Sequence, residues 1–255
     1  MTKFKTNETL KNVLKSMEEE GLIVPRTENN QYLAISYKGA DTLITAKWNI
    51  KIYTSGNGVC TDVGVIKDYV GGRLKEPDPS LILLKIDDAG WGSPIGGILV
   101  GVSDEKTVIT DVIDVKFFKP QTFEKRAYLE AFADQGWALV KNVFKATPET
   151  HRIEICTGYV NTKLRDLLRE KGFDVRQTEI KGLLQDKLEN EFRDYIKQIT
   201  EGEDLAYDPK ELHASEIGNY YHKALRYGME KAPHLLKSGW KAIQQIRIDE
   251  YLNEG

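Results

Sequence analysis

The chain has 255 residues, of which 40% are hydrophobic and 29% are charged, and its formal net charge is −3 at pH 7. This globular composition leaves room for one large domain or two smaller ones, and no apolar run approaches the roughly 18 residues of a membrane span. The slightly acidic balance excludes an overall basic surface, so a nucleic-acid-binding protein of this charge would need local basic patches.

Residues 1–75 are predicted to form a small α+β domain. A helix is predicted over residues 7–21, because apolar side chains recur there at helical spacing before Gly21. Apolar segments between turn residues predict strands at residues 32–37, 42–48 and 50–54. A short helix over residues 63–69 and a linker that contains Gly and Pro, up to residue 79, complete this part of the chain.

A larger domain is predicted over residues 80–200, followed by a helical extension over residues 201–255. Its strands are predicted at residues 81–87, 98–102, 108–113, 152–156 and 173–180. Its helices are predicted at residues 122–143, 162–171 and 183–199, and the extension has an amphipathic helical pattern over residues 211–252. Three strands followed by alternating helices and strands predict an α/β fold with a mixed sheet and helices on both faces.

The cysteines and the N-terminal residues bear on the cellular compartment. Cys60 and Cys156 lie far apart and do not have the spacing of metal ligands, which argues against structural zinc and fits a reducing cytoplasm. The first seven residues lack the apolar segment of a signal peptide. We therefore expect a cytoplasmic protein that does not contact a membrane.

The most informative segment is an apolar strand that ends in two acids and a glycine-rich turn. The apolar run at residues 81–84 leads to Asp87 and Asp88, and the Gly-Trp-Gly turn at residues 90–92 follows. Adjacent buried carboxylates repel each other and lose hydration unless a cation neutralises them. The segment therefore predicts a divalent metal ion and a ligand that carries phosphate. The alternative is a polar turn that only closes the strand.

The order of the predicted elements resembles that of the ribonuclease H fold. That fold carries metal-binding acids at the end of its first strand, on its fourth strand and near the start of its last helix. The resemblance implies that Asp87 and Asp88, Glu154 and Asp186 hold these positions, with Glu189 as the alternative to Asp186.

More specifically, the chain resembles the type 2 ribonucleases H, which cut the RNA strand of RNA–DNA hybrids. Their first motif, Asp-Glu-Ala-Gly-Arg-Gly, is similar to Asp-Asp-Ala-Gly-Trp-Gly at residues 87–92. Their second motif, Asp-Ser-Lys-Lys-Leu, is similar to the segment that starts at Asp114 and contains Lys116. Some members carry an extra domain that grips the hybrid, and residues 42–60 resemble its strand pair.

The resemblance implies hydrolysis that uses two Mg²⁺ or Mn²⁺ ions. Asp87 is expected to bridge both ions, with the other three acids completing the ligand shells. The amides of Gly90 and Gly92 are expected to contact ribose 2′-hydroxyl groups, and Trp91 to stack on a sugar or a base. Lys116 is expected to contact a flanking phosphate. The implied partner is an RNA–DNA hybrid, with no obligate protein partner.

Two departures from the family motif keep other functions open. Trp91 stands where the family has Arg, and Asp88 stands where it has Glu. A non-catalytic nucleic-acid-binding protein of the same fold tolerates both changes, and a ribonuclease H-fold nuclease that acts on branched DNA needs the same acids. An ATP-binding phosphotransferase requires a second glycine-rich phosphate turn, which residues 157–159 match poorly.

Overall fold

The computed structural model describes residues 2–40, 45, 48–72, 74, 77–206 and 214–245. The chain divides into two compact units, one formed by Met1–Leu81 with Arg176–Thr178 and the other by Ile82–Val175 with Glu179–Gly255. The predicted strand at residues 42–48 lies mostly outside the described residues, and so do parts of the predicted linker and of the tail.

The first unit contains an antiparallel sheet and two helices. Its strands are β1 (Thr2–Lys5), β2 (Ile23–Pro25), β3 (Leu33–Gly39), β4 (Asn49–Tyr53) and β5 (Asn57–Cys60), and its helices are α1 (Glu8–Glu19) and α2 (Gly64–Val70). The strand order is β1-β5-β4-β3-β2. Helix α1 begins where the Asn7 side chain accepts a hydrogen bond from the Leu10 amide at 2.8 Å. Leu14 and Met17 of α1 pack on Ile50 of the sheet, which forms the core of this unit.

The second unit is built on a mixed five-stranded sheet. Its strands are β6 (Ile82–Ala89), β7 (Ile98–Ser103), β8 (Val108–Ile113), β9 (His151–Cys156) and β10 (Asp174–Thr178), of which only the first two residues belong to this unit. They are arranged in the order β10-β9-β6-β7-β8. Strand β6 is antiparallel to β7 and parallel to β9, and β7 is antiparallel to β8. The predicted mixed five-stranded sheet is confirmed, with the acidic strand β6 at its centre.

Helices cover both faces of this sheet. They are α3 (Pro120–Glu124), α4 (Ala127–Ala138), α5 (Thr162–Glu170), α6 (Leu183–Ile199) and α7 (Ala214–Glu230). Phe132 of α4 and Leu164 of α5 pack with Ile86 in one core, and Leu188 of α6 packs with Ala89 in the other. None of the helices in the described part of the chain combines the length and apolarity needed to cross a bilayer.

The prediction of one continuous helix over residues 122–143 is wrong. Arg126 adopts a left-handed conformation with φ of +57°, which interrupts the helix between α3 and α4. Helix α4 then continues into a π-helical turn over Leu139–Val143. The apolar periodicity is present on both sides of Arg126, but a left-handed Arg has no sequence signal of its own, so the break could not be predicted.

Candidate metal centre

Two carboxylates and a thiol meet at the carboxyl end of the central strand. Asp87 and Asp88 are near the end of β6, and the parallel pairing of Ile86 with Ile155 brings Cys156 beside Asp87. One carboxylate oxygen of each Asp and the Cys156 Sγ all lie within 4.8 Å of one another. Across the described ranges, no other group of three or more His, Cys, Asp or Glu side chains is gathered in this way.

The surroundings of these three groups disfavour negative charge. Burial raises the pKa of Asp87, although hydrogen bonds from the Cys156 thiol and the Asp88 backbone amide oppose the shift. Burial and the neighbouring Asp87 raise the pKa of Asp88 to about 7. Burial and Asp87 also raise the pKa of the Cys156 thiol to about 12. A bound cation would reverse these shifts by supplying positive charge where the anionic forms are now destabilised.

The surroundings of Asn161, which contacts Asp88, fit a bound divalent ion. Asn161 is fully buried, and its Nδ2 donates to Asp88 Oδ1 at 2.8 Å. Its Oδ1 is also buried and accepts no hydrogen bond from the described part of the chain. Buried amide oxygens are nearly always satisfied, and water bound to a metal ion is a suitable donor. Asp87, Asp88 and Cys156 are therefore the residues that would hold an ion at this place.

The glycine turn after β6 is packed tightly against α6. Gly90 has φ of +84°, and a Cβ atom built on it would lie 2.0 Å from Cε2 of Phe192. Gly92 lacks such a conformation, and a Cβ atom there would meet nothing within 4 Å. The two glycines therefore differ: the first is required by backbone conformation and close packing, and the second leaves open space at the surface of the turn.

A pocket of about 220 Å³ opens beside the carboxylates. Asp88 and the turn at residues 90–92 line one side of it, and Glu189 and Phe192 of α6 line another. Tyr221 of α7 contributes an aromatic ring to the same pocket. The pocket therefore places Asp88 beside a space where part of a ligand can lie.

A buried lysine supports the turn and was not predicted from the sequence. Lys237 is fully buried, and its Nζ donates to the Gly90 carbonyl oxygen at 2.6 Å. The same Nζ lies 5.2 Å from the ring centroids of Phe118 and of Trp240. Burial lowers the pKa of Lys237 well below its usual value, and the charge of Asp88 opposes this shift. Lys237 is thus a positioning residue for the turn, acting through the Gly90 carbonyl.

Trp91 lies in a cluster of aromatic rings at this end of the sheet. Its ring centroid is 5.5 Å from that of Tyr128, 6.1 Å from that of Trp240 and 6.4 Å from that of Tyr159. Tyr159 is 46% exposed, whereas Tyr128 is buried. The cluster is thus anchored in the core on one side and offers aromatic surface next to the acids on the other.

The remaining predicted site residues lie at different distances from the acid pair. Glu154 is on β9 two residues before Cys156, about 6.6 Å along the strand, and accepts from Arg152 Nη1 at 3.0 Å. Asp186 is exposed in the first turn of α6, whereas Glu189 lines the pocket. Neither Glu154 nor Asp186 belongs to the group that meets within 4.8 Å, so their metal-binding roles stay predictions.

Lys116 is exposed in a 3₁₀ turn, Val115–Phe118, that follows β8. Because β6, β7 and β8 alternate in direction, the carboxyl ends of β6 and β8 lie at the same edge of the sheet. Two strand spacings separate them, about 10 Å. Lys116 therefore lies at the edge of the sheet that carries the acids, and its contact with a phosphate stays a prediction.

The raised pKa of Asp88 predicts how the metal-free protein responds to pH. An unfolded Asp has a pKa near 3.9, so the folded chain, in which this pKa is about 7, binds the proton more tightly. The stabilising effect of that proton is complete below the unfolded pKa and is lost as pH rises toward 7. We expect the free energy of unfolding to fall between about pH 4 and pH 7, by up to about 1.4 kcal/mol per pH unit for each retained proton.

Denaturant unfolding in the presence of a chelator measures this dependence. The Asp88→Asn variant has no carboxylate to titrate at this position and should show a shallower decrease of stability with pH than the wild-type protein. Identical slopes for the two proteins would contradict the assignment of the raised pKa to Asp88.

In the comparisons with known proteins, the chain matches solved structures. No family model and no curated protein matches the chain. Aquifex aeolicus RNase H3 is 10% identical with a TM-score of 0.37, and the match covers 92% of this chain and 98% of that one. Bst-RNase HIII in complex with Mn²⁺ is 14% identical with a TM-score of 0.36, covering 95% and 96% of the two chains. A mutant form of Bst-RNase HIII is 13% identical with a TM-score of 0.36, covering 92% and 93%.

These matches extend along nearly the whole of this chain and of each of these ribonucleases. At this divergence the likeness identifies no equivalent functional residue.

Proposed function

We propose that this protein is a metal-dependent cytoplasmic nuclease that hydrolyses the RNA strand of RNA–DNA hybrids, without an obligate protein partner. The observation that carries the proposal is the pair formed by the buried Asp87 and the partly buried Asp88 at the end of the central strand, gathered with the Cys156 thiol beside an open pocket. Two adjacent carboxylates with this little access to water are costly without a cation. Its position beside a glycine turn and an aromatic cluster supports a ligand with phosphate, sugar and base.

Asp87, Asp88 and Cys156 would hold a divalent ion, which when bound activates water and neutralises charge on a phosphodiester. The residues around it act on the substrate. The turn at residues 90–92 offers backbone amides to the 2′-hydroxyl groups that distinguish RNA from DNA. Trp91 offers a ring face for stacking on a sugar or a base. Lys237 holds the turn in place through the Gly90 carbonyl.

The gathered donors account for one ion. The two-metal mechanism that the resemblance implies needs further carboxylates, and we propose Glu154 and Asp186 for this role, with Glu189 as the alternative on α6. Glu189 already lines the pocket that Asp88 lines. Glu154 would have to exchange its ion pair with Arg152 for a metal contact. The choice of Mg²⁺ or Mn²⁺ is part of the same proposal.

A second function, a nucleic-acid-binding protein without catalysis, is favoured by one observation. Among the described residues, the group within 4.8 Å contains two carboxylates, and its third member is the Cys156 thiol beside Asp87. A third acid at that place would complete an all-oxygen site. Such a protein would retain the turn and the aromatic surface but lack hydrolysis. The small N-terminal unit would add to hybrid binding in either case.

Cleavage of an RNA–DNA hybrid labelled on the RNA strand tests the proposal. We expect short labelled RNA products when a divalent ion is supplied, an intact DNA strand, and no products when a chelator is present. A branched DNA of equal length and a single-stranded RNA serve as comparison substrates. Binding of the hybrid without cleavage would replace this proposal by the non-catalytic function. Cleavage of the branched DNA alone would replace it by a branched-DNA nuclease.

A further inference from the structure

The candidate metal centre contains a sulfur atom, the Cys156 Sγ, that the expected all-oxygen site does not. Cys156 ends β9, which runs parallel to β6, and it directly follows Ile155, the register partner of Ile86. Its Sγ is within 4.8 Å of ligand oxygens of both Asp87 and Asp88. The thiol is mostly buried and contacts Asp87 directly by a hydrogen bond. Cys156 thus occupies a position from which any ion held by both carboxylates is within reach of its sulfur.

The chemistry of these donors distinguishes between divalent ions. Mg²⁺ requires oxygen ligands in near-octahedral geometry and keeps several waters. Zn²⁺ accepts thiolate and carboxylate together, and its catalytic sites combine three protein ligands with one open position. Two carboxylates and one thiolate make such a set, and the open position would face the pocket that Asp88 lines. Sulfur ligands also favour thiophilic ions over Mg²⁺ in general.

Asn161 is an independent observation that points to a ligand at the same place. Its side chain is fully buried, and its Nδ2 donates a hydrogen bond to Asp88 Oδ1. The other atom of the amide, Oδ1, accepts no hydrogen bond within the described ranges. A water molecule bound to the ion would donate a hydrogen bond to this oxygen. Residues outside the ligand set orient the ligands of metal sites through hydrogen bonds of this kind.

We propose that Cys156 is a metal ligand and that the centre selects one thiophilic divalent ion of the Zn²⁺ type over Mg²⁺. When the ion binds, a bond forms between the metal and the Cys156 sulfur, and the thiol proton is released to solvent. This inference concerns the ion that serves the proposed nuclease, but ion binding itself does not depend on what the protein cleaves. It gives Cys156 a role that its sequence spacing does not indicate.

Absorption spectroscopy with Co²⁺ as the probe tests this assignment on the full chain. A bond between Co²⁺ and a thiolate produces a charge-transfer band in the near ultraviolet, which an all-oxygen site lacks. We expect the band in the wild-type protein, and we expect Zn²⁺ to abolish it whereas a large excess of Mg²⁺ leaves it in place. The Cys156→Ser variant should lose the band and bind Co²⁺ at least about tenfold more weakly.

The other cysteine provides the matched control. Cys60 is buried in the core of the first unit, and Cys60→Ala should keep both the band and the affinity. Cys156→Asp, which restores a third carboxylate, should bind Mg²⁺ or Mn²⁺ more tightly than the wild-type protein does. This second variant and the wild-type competition with Mg²⁺ test the proposal even if Cys156→Ser does not fold.

Absence of the band in the wild-type protein, or its displacement by Mg²⁺ as readily as by Zn²⁺, would overturn the proposal. The two proposals fail separately. If the band depends on Cys156 but no hybrid is cut, the metal assignment stands and the nuclease function is wrong. If Mg²⁺ supports hybrid cleavage equally in the wild-type protein and in Cys156→Ser, the nuclease function stands and the metal assignment is wrong.

Discussion

Replacing Asp87 by Asn is expected to lower hybrid cleavage by about 10³-fold or more, since this carboxylate belongs to the gathered ligand group and adjoins both other members. The loss should not arise from unfolding. Asp87 is 7% exposed, and burial raises its pKa, so its charge opposes folding in the metal-free protein. An amide oxygen can still accept from the Asp88 backbone amide, as the carboxylate does at 2.8 Å. The variant should therefore be at least as stable as the wild-type protein when no ion is present.

Initial rates on a labelled hybrid, with thermal unfolding in chelator, measure both parts of this expectation. The matched control is Asp111→Asn, which changes an exposed carboxylate on β8 of the same sheet. It should retain cleavage within about twofold, because it lies outside the ligand group. Cleavage by Asp87→Asn within about tenfold of the wild-type rate would show that the chemistry does not depend on this acid.

The sheet of the second unit could be predicted because its strands share one sequence pattern. Its strands are apolar runs bounded by turn residues, and their order along the chain predicted the mixed sheet that is observed. The strands β1, β2 and β5 of the first unit are not predicted from the sequence. Each has three or four residues, which is too few for a periodic pattern, and each becomes a strand only through pairing with a neighbouring strand.

The site was predictable where its residues are neighbours in sequence. Asp87 and Asp88 stand together after an apolar run, so their chemistry was visible at once. Cys156 could be identified only from the register between β6 and β9, which the sequence does not specify. The available signal is its place as the last residue of a predicted strand, whereas the fold resemblance assigns the metal-binding role to Glu154, two residues earlier.

Lys237 shows a different limit of sequence interpretation. It is one lysine in an apolar segment near Leu235 and Leu236, and lysine is almost never fully buried unless it is paired. Its burial follows from contacts made across the fold: its backbone amide donates to the Pro94 carbonyl at 2.9 Å and its Nζ donates to Gly90. No local pattern reports either contact, so the support of the glycine turn could not be inferred.

The glycine turn itself provides the second prediction with a large effect. Gly90→Ala is expected to lower the free energy of unfolding by about 2–4 kcal/mol. Two causes add: an Ala residue is strained at φ of +84°, and its Cβ would lie 2.0 Å from Phe192 Cε2. Phe192 of α6 is 4% exposed and shares a core with buried residues of α7, so its ring cannot move away freely. Denaturant unfolding of the full chain measures the loss.

Gly92→Ala is the matched control in the same turn. A Cβ at Gly92 meets nothing within 4 Å, and the backbone there does not require glycine. The change should alter stability by no more than about 0.5 kcal/mol. If Gly90→Ala unfolds at the same denaturant concentration as Gly92→Ala, the turn tolerates a side chain at both positions and the close packing of Phe192 on Gly90 is wrong.

A double variant separates the two causes at Gly90. Replacing Phe192 by Leu removes the ring that the new Cβ would meet, but it leaves the left-handed backbone unchanged. The loss in Gly90→Ala with Phe192→Leu should therefore be smaller than the sum of the two single losses, by about 1 kcal/mol or more. Strictly additive losses would assign the whole effect of Gly90→Ala to backbone strain. A glycine kept for both reasons fixes the turn in one position, and the proposed contact of its amides with a ribose would then need no rearrangement of the turn.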